Sequence, residues 1–392
     1  MHIGHDYYWF AYRMERTRKK TIGIIMKIGI LTYHRAHNYG AMLQAYALLT
    51  FLKEQGHEVE FIDYWPNSHQ QQYKLLKPLH GKNAINKLVN IIVDCLTIVR
   101  RLLRIRKFNG FAYNFLGLNT QIKYKNSTDK VAGNLYDYII VGSDQVWRNH
   151  EYEGKYVGFD PFYFCQSVST NIHCISYAAS MGIITLNEKD RSQLQEYLKA
   201  FDTILVRENS LKTLINSLNY DAEVVLDPTL LLSKNQWNKL LPTSRFYKEK
   251  YVLYYELIKS SKAMAYAINK AKSLNCKLLI MDASIRTIPR KNHIAFASPI
   301  EFMHAIRDAE YIIATSFHGT AFSIIFEKQF ITIGLSKNAD RVQTLLQHLN
   351  IEEHYQNDPI TVPDINYSRA TTLLNNARKQ SIQLLLSALT KQ

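Results

Sequence analysis

One histidine stands where an apolar segment ends and another begins. In YIIATSFHGTAFSIIF (residues 311–326), an apolar run ends just before His318, and an apolar helical pattern follows it. An imidazole titrates near neutral pH, so it can transfer a proton. A helix start beside it would offer unpaired N–H groups to an anion, and Lys337 and Arg341, after the next strand, could add positive charge. The pattern leaves two interpretations open: His318 begins a core helix, or it faces a ligand.

Two other apolar segments end in residues that could bind a ligand. VGSDQVWR places Ser143, Asp144 and Trp147 after a predicted strand. They could supply a carboxylate and a sugar-stacking indole, or only a helix N-cap and a packing side chain. LVREN places Arg207 beside Glu208 at another strand end. A guanidinium suits carboxylate and phosphate, whereas an ion pair between these two residues is the alternative.

Small residues mark two further candidate positions. Asn38, Tyr39 and Gly40 open a predicted amphipathic helix, where backbone N–H groups could approach an anion or the glycine could simply allow a tight turn. The stretch YAASMG, around Ser180, ends a predicted strand in small side chains. These leave room either for a ligand or for close packing.

The elements that would position these residues alternate along the chain. From Met26 onward, short β-branched and aromatic runs are separated by helical patterns, which indicates parallel sheets covered on both faces. In such sheets ligands bind beyond the carboxyl ends of the strands. We therefore predict an α/β protein with two doubly wound, Rossmann-like domains, residues 26–240 and 241–392, the second ending in a helix. The predicted strands are Lys27–Thr32, Val59–Tyr64, Tyr138–Val141, Cys174–Ala178, Thr203–Val206, Tyr251–Tyr255, Lys277–Met281, His293–Phe296, Tyr311–Thr315 and Phe330–Ile333.

Composition narrows the class of protein. At 392 residues, with 47% hydrophobic and 21% charged residues, the chain is typical of a soluble globular protein of two domains. The 48 Lys and Arg residues exceed the 33 Asp and Glu residues, a net charge of +15, which suits anionic lipid, phosphorylated small molecules or nucleic acid. The chain lacks a basic run interleaved with aromatic residues and a helix-turn-helix pattern, so we predict no nucleic-acid partner.

The cysteines and the N-terminus bear on location. Four cysteines show no CxxC spacing, so we predict buried thiols in a reducing, cytoplasmic compartment and no metal site. Residues 1–25 contain no apolar core of signal-peptide length. MKIGILTYH, from Met26, is typical of a natural start that leads into a first strand. We expect residues 1–25 to be a disordered arm or an artefact of gene-start choice.

A long helical pattern at residues 87–107 carries one narrow polar stripe and ends in the basic cluster RRLLRIRK. Asn90 and Asp94 interrupt its apolar run, which argues against a membrane span. Two placements stay open: the helix packs against the first domain, or it lies in a membrane interface with its basic end on anionic lipid. The stripe consists of Lys87, Asn90, Asp94, Thr97, Arg101 and Arg104.

Taken in order, these stretches resemble the polysaccharide pyruvyl transferase family. The resemblance rests on KIGILTYHRAHNYGAMLQAYAL, GHEVEFIDY, YDYIIVGSDQVWR, ISYAASMG, FDTILVREN, VVLDPTLLL, ATSFHGTAFSIIFEKQFITIG and RVQTLL. It extends from Met26 to about Leu349. Each motif is short, but the ordered set is specific.

The resemblance implies a fold similar to that of two-domain GT-B glycosyltransferases, with the active site in the cleft between domains. It also implies transfer of a pyruvyl group from phosphoenolpyruvate to two hydroxyls of a sugar, which forms a cyclic ketal and releases phosphate. The product would belong to a bacterial surface polysaccharide, such as a capsule or exopolysaccharide, and phosphoenolpyruvate would be a co-substrate with no further cofactor. We expect an acceptor sugar on a lipid carrier and peripheral contact with the inner membrane.

The resemblance also implies roles for individual residues. His318 matches the histidine of the family's His-Gly motif, the expected general acid, and Arg207 matches an arginine expected to bind the donor. Asp144 could accept a proton from the acceptor hydroxyl. One branch of the family has an arginine where this chain has Ser316, so donor binding must use other residues. We assign Gly319, Thr320, Lys337 and Arg341 to the donor, and Asn38, Tyr39, Gly40, Ser143, Trp147 and Ser180 to the acceptor or another ligand.

Two other functions fit the same sequence. A GT-B glycosyltransferase that uses a nucleotide sugar would share the cleft and the basic pocket. A carbohydrate-binding protein without catalytic activity would share the fold alone.

Overall fold

The computed structural model of the chain describes residues 24–73, 84–119, 121–152, 155–282, 292–334 and 339–390. Residues 1–23, part of the predicted N-terminal extension, and Lys337 lie outside this part of the chain. The strands are β1 (Lys27–Leu31), β2 (Glu58–Phe61), β3 (Tyr138–Val141), β4 (His150–Tyr152), β5 (Lys155–Gly158), β6 (His173–Ala179), β7 (Thr203–Val206), β8 (Ala222–Val224), β9 (Tyr251–Glu256), β10 (Lys277–Asp282), β11 (His293–Ile294), β12 (Tyr311–Ala314), β13 (Phe330–Ile333) and β14 (Tyr355–Gln356).

Two six-stranded sheets form the frame of the described chain. The first has the order β2-β1-β3-β6-β7-β8 and the second the order β11-β10-β9-β12-β13-β14, and the paired strands within both are parallel. Strands β3, β9, β12 and β13 are buried along their whole length, as expected for parallel sheets covered by helices on both faces. The predicted α/β fold of two doubly wound, GT-B-like domains is confirmed.

The sequence missed four short strands. The antiparallel hairpin of β4 and β5 and the edge strands β8 and β14 were not predicted. Such short segments contain too few residues to show a period of two.

The helices are α1 (Tyr39–Glu54), α2 (Asn67–Gln72), α3 (Ala84–Leu116), α4 (Glu188–Leu198), α5 (Asn209–Ser217), α6 (Lys234–Asn238), α7 (Ser261–Ser273), α8 (Pro299–Asp308), α9 (Phe317–Ile325), α10 (Ala339–Leu349) and α11 (Tyr367–Ala388). Several begin at side chains that satisfy their first N–H groups. Ser298 forms a capping box with Glu301 at α8, and Asn38 accepts a hydrogen bond from Ala41 N at α1.

The two domains share a packed junction. The ring of Tyr39 on α1 stacks on Phe302 of α8 at 4.8 Å and 7° between planes. Helix α11 returns toward the first domain, where Ser381 Oγ accepts a hydrogen bond from Leu226 N at 3.0 Å. These contacts fix the strand ends of the two sheets relative to one another.

Helix α3 turns part of its polar stripe inward. Thr97 and Arg104 are 1% and 9% exposed, whereas Val99 is 63% exposed. The C-terminal half packs on α1 through buried Phe108 and Phe111. Packing against the first domain is therefore observed for this half of the helix. The exposed apolar face that includes Val99 was not predicted. The side chains of Lys87, Asn90 and Asp94 lie outside the described part of the molecule.

The prediction of buried thiols holds for two cysteines. Cys165 and Cys174 are buried, Cys276 is half-buried, and Cys95 on α3 is exposed, so for Cys95 the prediction was wrong. Among the described helices, none is both long and apolar enough to cross a membrane.

Candidate active site

A buried carboxylate lies at the centre of the junction. Asp227, 1% exposed, accepts hydrogen bonds from Arg207 Nη1 at 2.8 Å and from Ser143 Oγ at 2.9 Å. The backbone N–H and hydroxyl of Thr229 donate to its other oxygen at 3.0 and 2.8 Å. His318 Nε2 lies 3.8 Å from Asp227 Oδ2, within ion-pair range but beyond a hydrogen bond. Asp227 therefore joins strand ends of the first sheet to the histidine of the second.

The surroundings of Asp227 keep it ionised. Burial alone would raise its pKa, but the facing His318 and Arg207 and the Thr229 N–H together hold that pKa below its usual value. Arg207 in turn has a raised pKa: burial opposes its charge, and Asp227, Asp144 and Glu208 more than offset this.

His318 projects from the first turn of α9 against the backbone of the first domain. A Cβ added at Gly40 would lie 1.9 Å from His318 Nδ1, so only glycine admits the imidazole there. The side chain is 12% exposed, and the buried Nε2 has no hydrogen-bond partner. Gly40 was predicted as a ligand contact; the structure places it against the candidate acid instead.

The N-terminus of α9 differs from the prediction. The helix begins at Phe317, and the N-cap Ser316 Oγ accepts the hydrogen bond of Gly319 N at 2.9 Å. Thr320 is fully buried, and its hydroxyl bonds Ser316 O at 3.0 Å and Thr332 Oγ1 at 2.6 Å. The expectation that the helix start at Gly319 offers a free amide to the donor is therefore wrong, because Ser316 Oγ accepts the hydrogen bond of that amide.

Two buried arginines lie close together. Arg341, on α10, is 8% exposed and donates to Gln145 at 2.8 and 2.9 Å when the amide oxygen of Gln145 faces it. Burial, followed by the neighbouring charge of Arg207, lowers the pKa of Arg341 to about 10. The guanidinium carbon of Arg207 lies 4.8 Å from the ring centre of Phe317, which covers it. The predicted donor residues Arg207 and Arg341 are thus brought together.

Glu208 balances part of this charge. Its Oε1 accepts from Ser180 Oγ at 2.7 Å, Met181 N at 3.1 Å and Gly182 N at 3.3 Å, while Oε2 lies 4.0 Å from Arg207 Nε. Burial raises the pKa of Glu208, against the lowering effect of both arginines. Ser180 therefore positions a carboxylate.

Several buried polar atoms of this cluster have no hydrogen-bond partner. They are Nε and Nη2 of Arg207, Nε of Arg341, Nε2 of His318 and Oε2 of Glu208. Buried polar groups are normally satisfied, and each exception calls for an explanation. The adjoining cavity, lined by Arg207, Asp227, Phe317 and Arg341 among others, holds about 10 Å³, room for one water at most. A larger ligand could reach these atoms only if side chains or domains moved apart.

Asp144 flanks the same arginine. Its Oδ1 lies 3.7 Å from Arg207 Nη2, and its side chain is 15% exposed. Its backbone has φ +74°, in the left-handed region that aspartate tolerates better than most residues. A Cβ at Gly142 would lie 2.3 Å from Tyr177 O, so glycine lets this strand end pass close to β6.

Other residues predicted to touch a ligand pack within the protein. Trp147 is fully buried and its indole N–H donates to Tyr163 O at 3.0 Å, which leaves no exposed face for a sugar. Tyr39 is 1% exposed within the domain junction, and burial raises its pKa to about 12. Asn38 caps α1. Ser143, by contrast, belongs to the Asp227 cluster.

A larger pocket of about 190 Å³ opens beyond β1, β2 and β3. We call it the aromatic pocket. It borders the group of Arg207, Glu208, Asp227, His318 and Arg341, which we call the charged cluster. The two meet at Gln145, whose backbone oxygen accepts a hydrogen bond from Tyr33 Oη at 3.0 Å. Its lining residues are Thr32, Tyr33, His34, Arg35, Ala36, Tyr64, Trp65, His69, Tyr73, Gln145, Arg148 and Tyr163.

Comparison with known proteins assigns the family. The model of the polysaccharide pyruvyl transferase family matches residues 38–337, most of the chain. The chain belongs to that family. The predicted resemblance is confirmed, and the match covers His318, Arg207 and Asp227. No curated protein matches the chain.

Solved structures of low identity resemble this pyruvyl transferase family member. The glycosyltransferase SnogD from Streptomyces nogalater has 11% identity and a TM-score of 0.41, with 93% of this chain and 100% of that chain covered. The UDP-N-acetylglucosamine 2-epimerase from Rickettsia bellii has 10% identity and a TM-score of 0.41, with 93% and 97% covered.

Sequence reasoning missed Asp227, the central carboxylate of this family member. It stands in VVLDPTLLL, quoted above only for the family resemblance. The available signal was an aspartate that ends an apolar run just before a proline, beyond a strand. Gln145 and the aromatic pocket were also missed, because their residues come from three separate strand ends. Within the described residues, no group of three or more His, Cys, Asp or Glu side chains could hold a metal ion.

Proposed function

We propose that this protein transfers the pyruvyl group of phosphoenolpyruvate to two hydroxyls of a polysaccharide sugar, forming a cyclic ketal and releasing phosphate. One observation carries the proposal: Arg207, Arg341 and His318, grouped around Asp227, keep buried donor atoms without hydrogen-bond partners. Such an arrangement suits a small, highly charged ligand, since a buried guanidinium gains most from phosphate or carboxylate oxygens. Phosphoenolpyruvate carries both groups.

The reaction requires transfer of one proton to the methylene carbon of phosphoenolpyruvate and stabilisation of the departing phosphate. His318 Nε2 would protonate the methylene carbon, which becomes the ketal methyl group, while the adjacent carbon becomes oxocarbenium-like. One sugar hydroxyl adds to that carbon, the bond to phosphate oxygen breaks, and a second hydroxyl adds. Of the two hydroxyl protons released, one restores His318 and the other leaves with phosphate. Asp144, 3.7 Å from Arg207, is the candidate to accept a proton from an attacking hydroxyl.

The remaining charged groups would hold the reactants. Arg207 and Arg341 would bind phosphate and carboxylate oxygens and stabilise the departing phosphate. Asp227 would hold Arg207 through its 2.8 Å bond and would face the imidazole of His318. Because the present cavity is only about 10 Å³, the donor must enter an opened form of the cleft. Closure around it would then exclude water from the reactive intermediate.

Ligand binding separates this proposal from a nucleotide-sugar glycosyltransferase. A ligand that binds the native state raises the melting temperature, so phosphoenolpyruvate should stabilise the protein whereas UDP and GDP should not. Incubation with phosphoenolpyruvate and lipid-linked sugars should give a product heavier by one pyruvyl ketal. Stabilisation by UDP or GDP alone would favour the glycosyltransferase. Sugar binding without turnover of either donor would favour a carbohydrate-binding protein.

Helix α3 supports a finer part of the proposal, contact with an anionic lipid surface that carries the acceptor. Ile92, Val99 and Leu102 are 50%, 63% and 48% exposed at spacings of seven and three, so they share one helix face. Arg106 is exposed further along the same helix. An apolar face with basic neighbours suits the interface of an anionic membrane, since burial of the apolar face and attraction of the basic side chains to anionic lipid both favour binding.

Vesicle sedimentation tests this contact. The protein should bind vesicles of phosphatidylglycerol at low salt and leave phosphatidylcholine vesicles largely unbound. A Val99→Asp/Leu102→Asp variant should lose this binding. The matched control is Ile268→Asp, which changes an apolar residue that is 40% exposed on α7. Equal binding by the α3 variant and the control would rule out the α3 face.

A further inference from the structure

The aromatic pocket lies at the strand ends where an open α/β sheet binds ligands, yet the proposed donor site does not use it. Its lining includes residues from the loops after β1, β2 and β3, such as Tyr33, Trp65 and Arg148. Carboxyl ends of parallel strands form the binding edge of such a sheet. The pocket and the charged cluster share this edge of the first domain.

The buried charges at the pocket are already paired. Arg35 Nε and Nη2 donate to the two oxygens of Asp63 at 2.5 and 2.7 Å, and His34 Nε2 lies 3.1 Å from Asp63 Oδ1. Burial would raise the pKa of Asp63, but Arg35 and His34 lower it to about 2. Arg148 is exposed at the rim, where the high dielectric of water weakens its pull. The pocket therefore offers little net charge to an anion.

Aromatic side chains form much of the wall instead. Trp65 and Tyr73 are half-buried, with ring centres 6.2 Å apart and planes inclined by 31°. Across the pocket, Tyr33 meets Tyr163 edge to face at 5.2 Å. Amphipathic rings present a flat apolar face and polar atoms at the edge. Such a surface matches a pyranose, which has C–H groups on its faces and hydroxyls around its rim.

The size of the pocket suits one sugar ring. A dry engineered cavity of about 150 Å³ accommodates benzene, so a pocket of about 190 Å³ has room for a single six-membered ring. A nucleotide sugar, with its base, ribose, two phosphates and hexose, is several times larger. The pocket therefore fits a monosaccharide unit at the end of a chain or carrier.

Gln145 connects this pocket to the proposed chemistry. It lines the pocket, accepts a hydrogen bond from Tyr33 Oη on its backbone oxygen, and contacts Arg341 through its side-chain amide. It also follows Asp144, the candidate base, directly in the chain. A hydroxyl on a ring held in the pocket would therefore face the carboxylate and the donor cluster from the first-domain side.

We propose that the aromatic pocket holds the pyranose ring of a neutral acceptor sugar, with Trp65 and Tyr73 as its stacking wall. This rests on the proposed function for the identity of the ring as an acceptor. Trp65 and Tyr73 set the specificity of the site, in place of the fully buried Trp147.

Binding of simple glycosides, measured by saturation-transfer NMR and calorimetry, tests the pocket without any turnover. The probes are the methyl β-glycosides of galactose, glucose, mannose and N-acetylglucosamine. At least one should bind the wild type, and Trp65→Ala should weaken that binding about tenfold or more, since truncated aromatic anchors dominate such losses. Trp65→Phe, which keeps a ring, should retain most of the affinity, and Tyr73→Ala should repeat the loss.

Two controls separate the pocket from the fold and from the donor site. Tyr113→Ala removes a ring that is 69% exposed on α3 and should leave glycoside binding unchanged. Phosphoenolpyruvate should stabilise Trp65→Ala as much as the wild type, which also shows that the variant is folded. If no glycoside binds, or if Trp65→Ala and Tyr73→Ala bind as tightly as the wild type, the pocket assignment is overturned.

Failure of the pocket and failure of the proposed function give different results. Trp65-dependent glycoside binding by a protein that turns over no phosphoenolpyruvate would support the sugar pocket and refute pyruvyl transfer. Normal pyruvyl transfer with the same acceptor KM in wild type, Trp65→Ala and Tyr73→Ala would support the reaction and refute the pocket.

Discussion

The charged cluster and the aromatic pocket differ in whether their buried charged side chains keep polar atoms without hydrogen-bond partners. In the cluster, Arg207 and His318 keep buried polar atoms without hydrogen-bond partners, and the cavity beside Arg207 holds only about 10 Å³. In the pocket, two nitrogens of Arg35 donate to the two carboxylate oxygens of Asp63, and a volume of about 190 Å³ stays open. A site that leaves its buried donors unsatisfied is built for a ligand that supplies acceptors. A site with paired charges and exposed rings is built for a neutral ligand.

This contrast predicts which substrate each variant affects. Changes in the cluster should act on phosphoenolpyruvate and on the chemical step, and changes in the pocket should act on the acceptor.

Replacement of the candidate acid should have the largest effect. His318→Ala should lower phosphate release from phosphoenolpyruvate, with acceptor present, by about 10²–10⁴-fold, the usual contribution of general acid catalysis. His173→Ala is the control, since that histidine lies at the amino end of β6 and pairs with Asp202 at 2.9 Å. Phosphate release by His318→Ala within a factor of two of the wild type would exclude His318 as the acid.

Neutralising the central carboxylate should affect stability most. Asp227→Asn leaves the buried charge of Arg207 without its 2.8 Å partner, which should lower the free energy of unfolding by about 3–5 kcal/mol in urea titrations.

The pH dependence of this loss has a defined sign. Because the folded pKa of Asp227 lies below its ordinary value, the carboxylate stabilises the fold fully above about pH 4, the unfolded value. That contribution disappears as the pH falls through the lower folded pKa. The difference between wild type and Asp227→Asn should therefore be constant from pH 8 to 5 and shrink in stronger acid; a difference that grew on acidification would show that Asp227 is protonated in the native state.

The sequence predicted the residues of the charged cluster better than those of the aromatic pocket. His318 and Arg207 follow apolar strands inside recognisable motifs, so strand-end position and family resemblance found them. Asp227 also ends an apolar run in a quoted motif, but it was passed over because its central position becomes visible only where the two domains bring their strand ends together. Trp65 was missed because periodicity does not tell which ring faces a cavity, and for the same reason the fully buried Trp147 was assigned to a ligand.

Both sheets were predictable because their long strands are continuous apolar runs. The short β11 was predicted as part of His293–Phe296, whereas the two-residue strand β14 was missed because it depends on a neighbour far away in the chain. The inward placement of Thr97 and Arg104 on α3 could not be predicted from the pattern either. Periodicity defines the two faces of a helix, but not which of them the rest of the protein covers.

A substitution at Gly40 tests whether the position of the His318 imidazole matters separately from its presence. Gly40→Ala would put a Cβ within 1.9 Å of His318 Nδ1, so the ring must move. We expect about a 10²-fold loss of kcat, since misplacement by about 1 Å costs that much. Gly110→Ala on α3 is the matched control: its Cβ meets nothing within 4 Å, so activity should stay unchanged. Equal kcat in both variants would show that His318 need not lie against the first domain.

Arg207→Lys should sharpen the assignment of the donor. Lysine keeps the charge but loses the planar fork, so KM for phosphoenolpyruvate should rise about tenfold while the acceptor KM changes little. The corresponding change at Arg191, on the far helix α4, should leave both values unaltered. A rise confined to the acceptor KM would reverse the assignment of the two sites.

Ionic strength should give the smallest effect and the most direct comparison. The donor is a multiply charged anion drawn to the buried guanidinium groups of Arg207 and Arg341, so raising the salt to about 1 M, where the Debye length is ~3 Å, should weaken its binding several-fold. Methyl glycosides carry no charge, and the cation inside their pocket is already paired with Asp63. Their dissociation constants, measured by calorimetry in the same buffers, should change less than about twofold. If both ligands weakened together, the aromatic pocket would bind anions, and the distinction between a charged and a neutral site would fail.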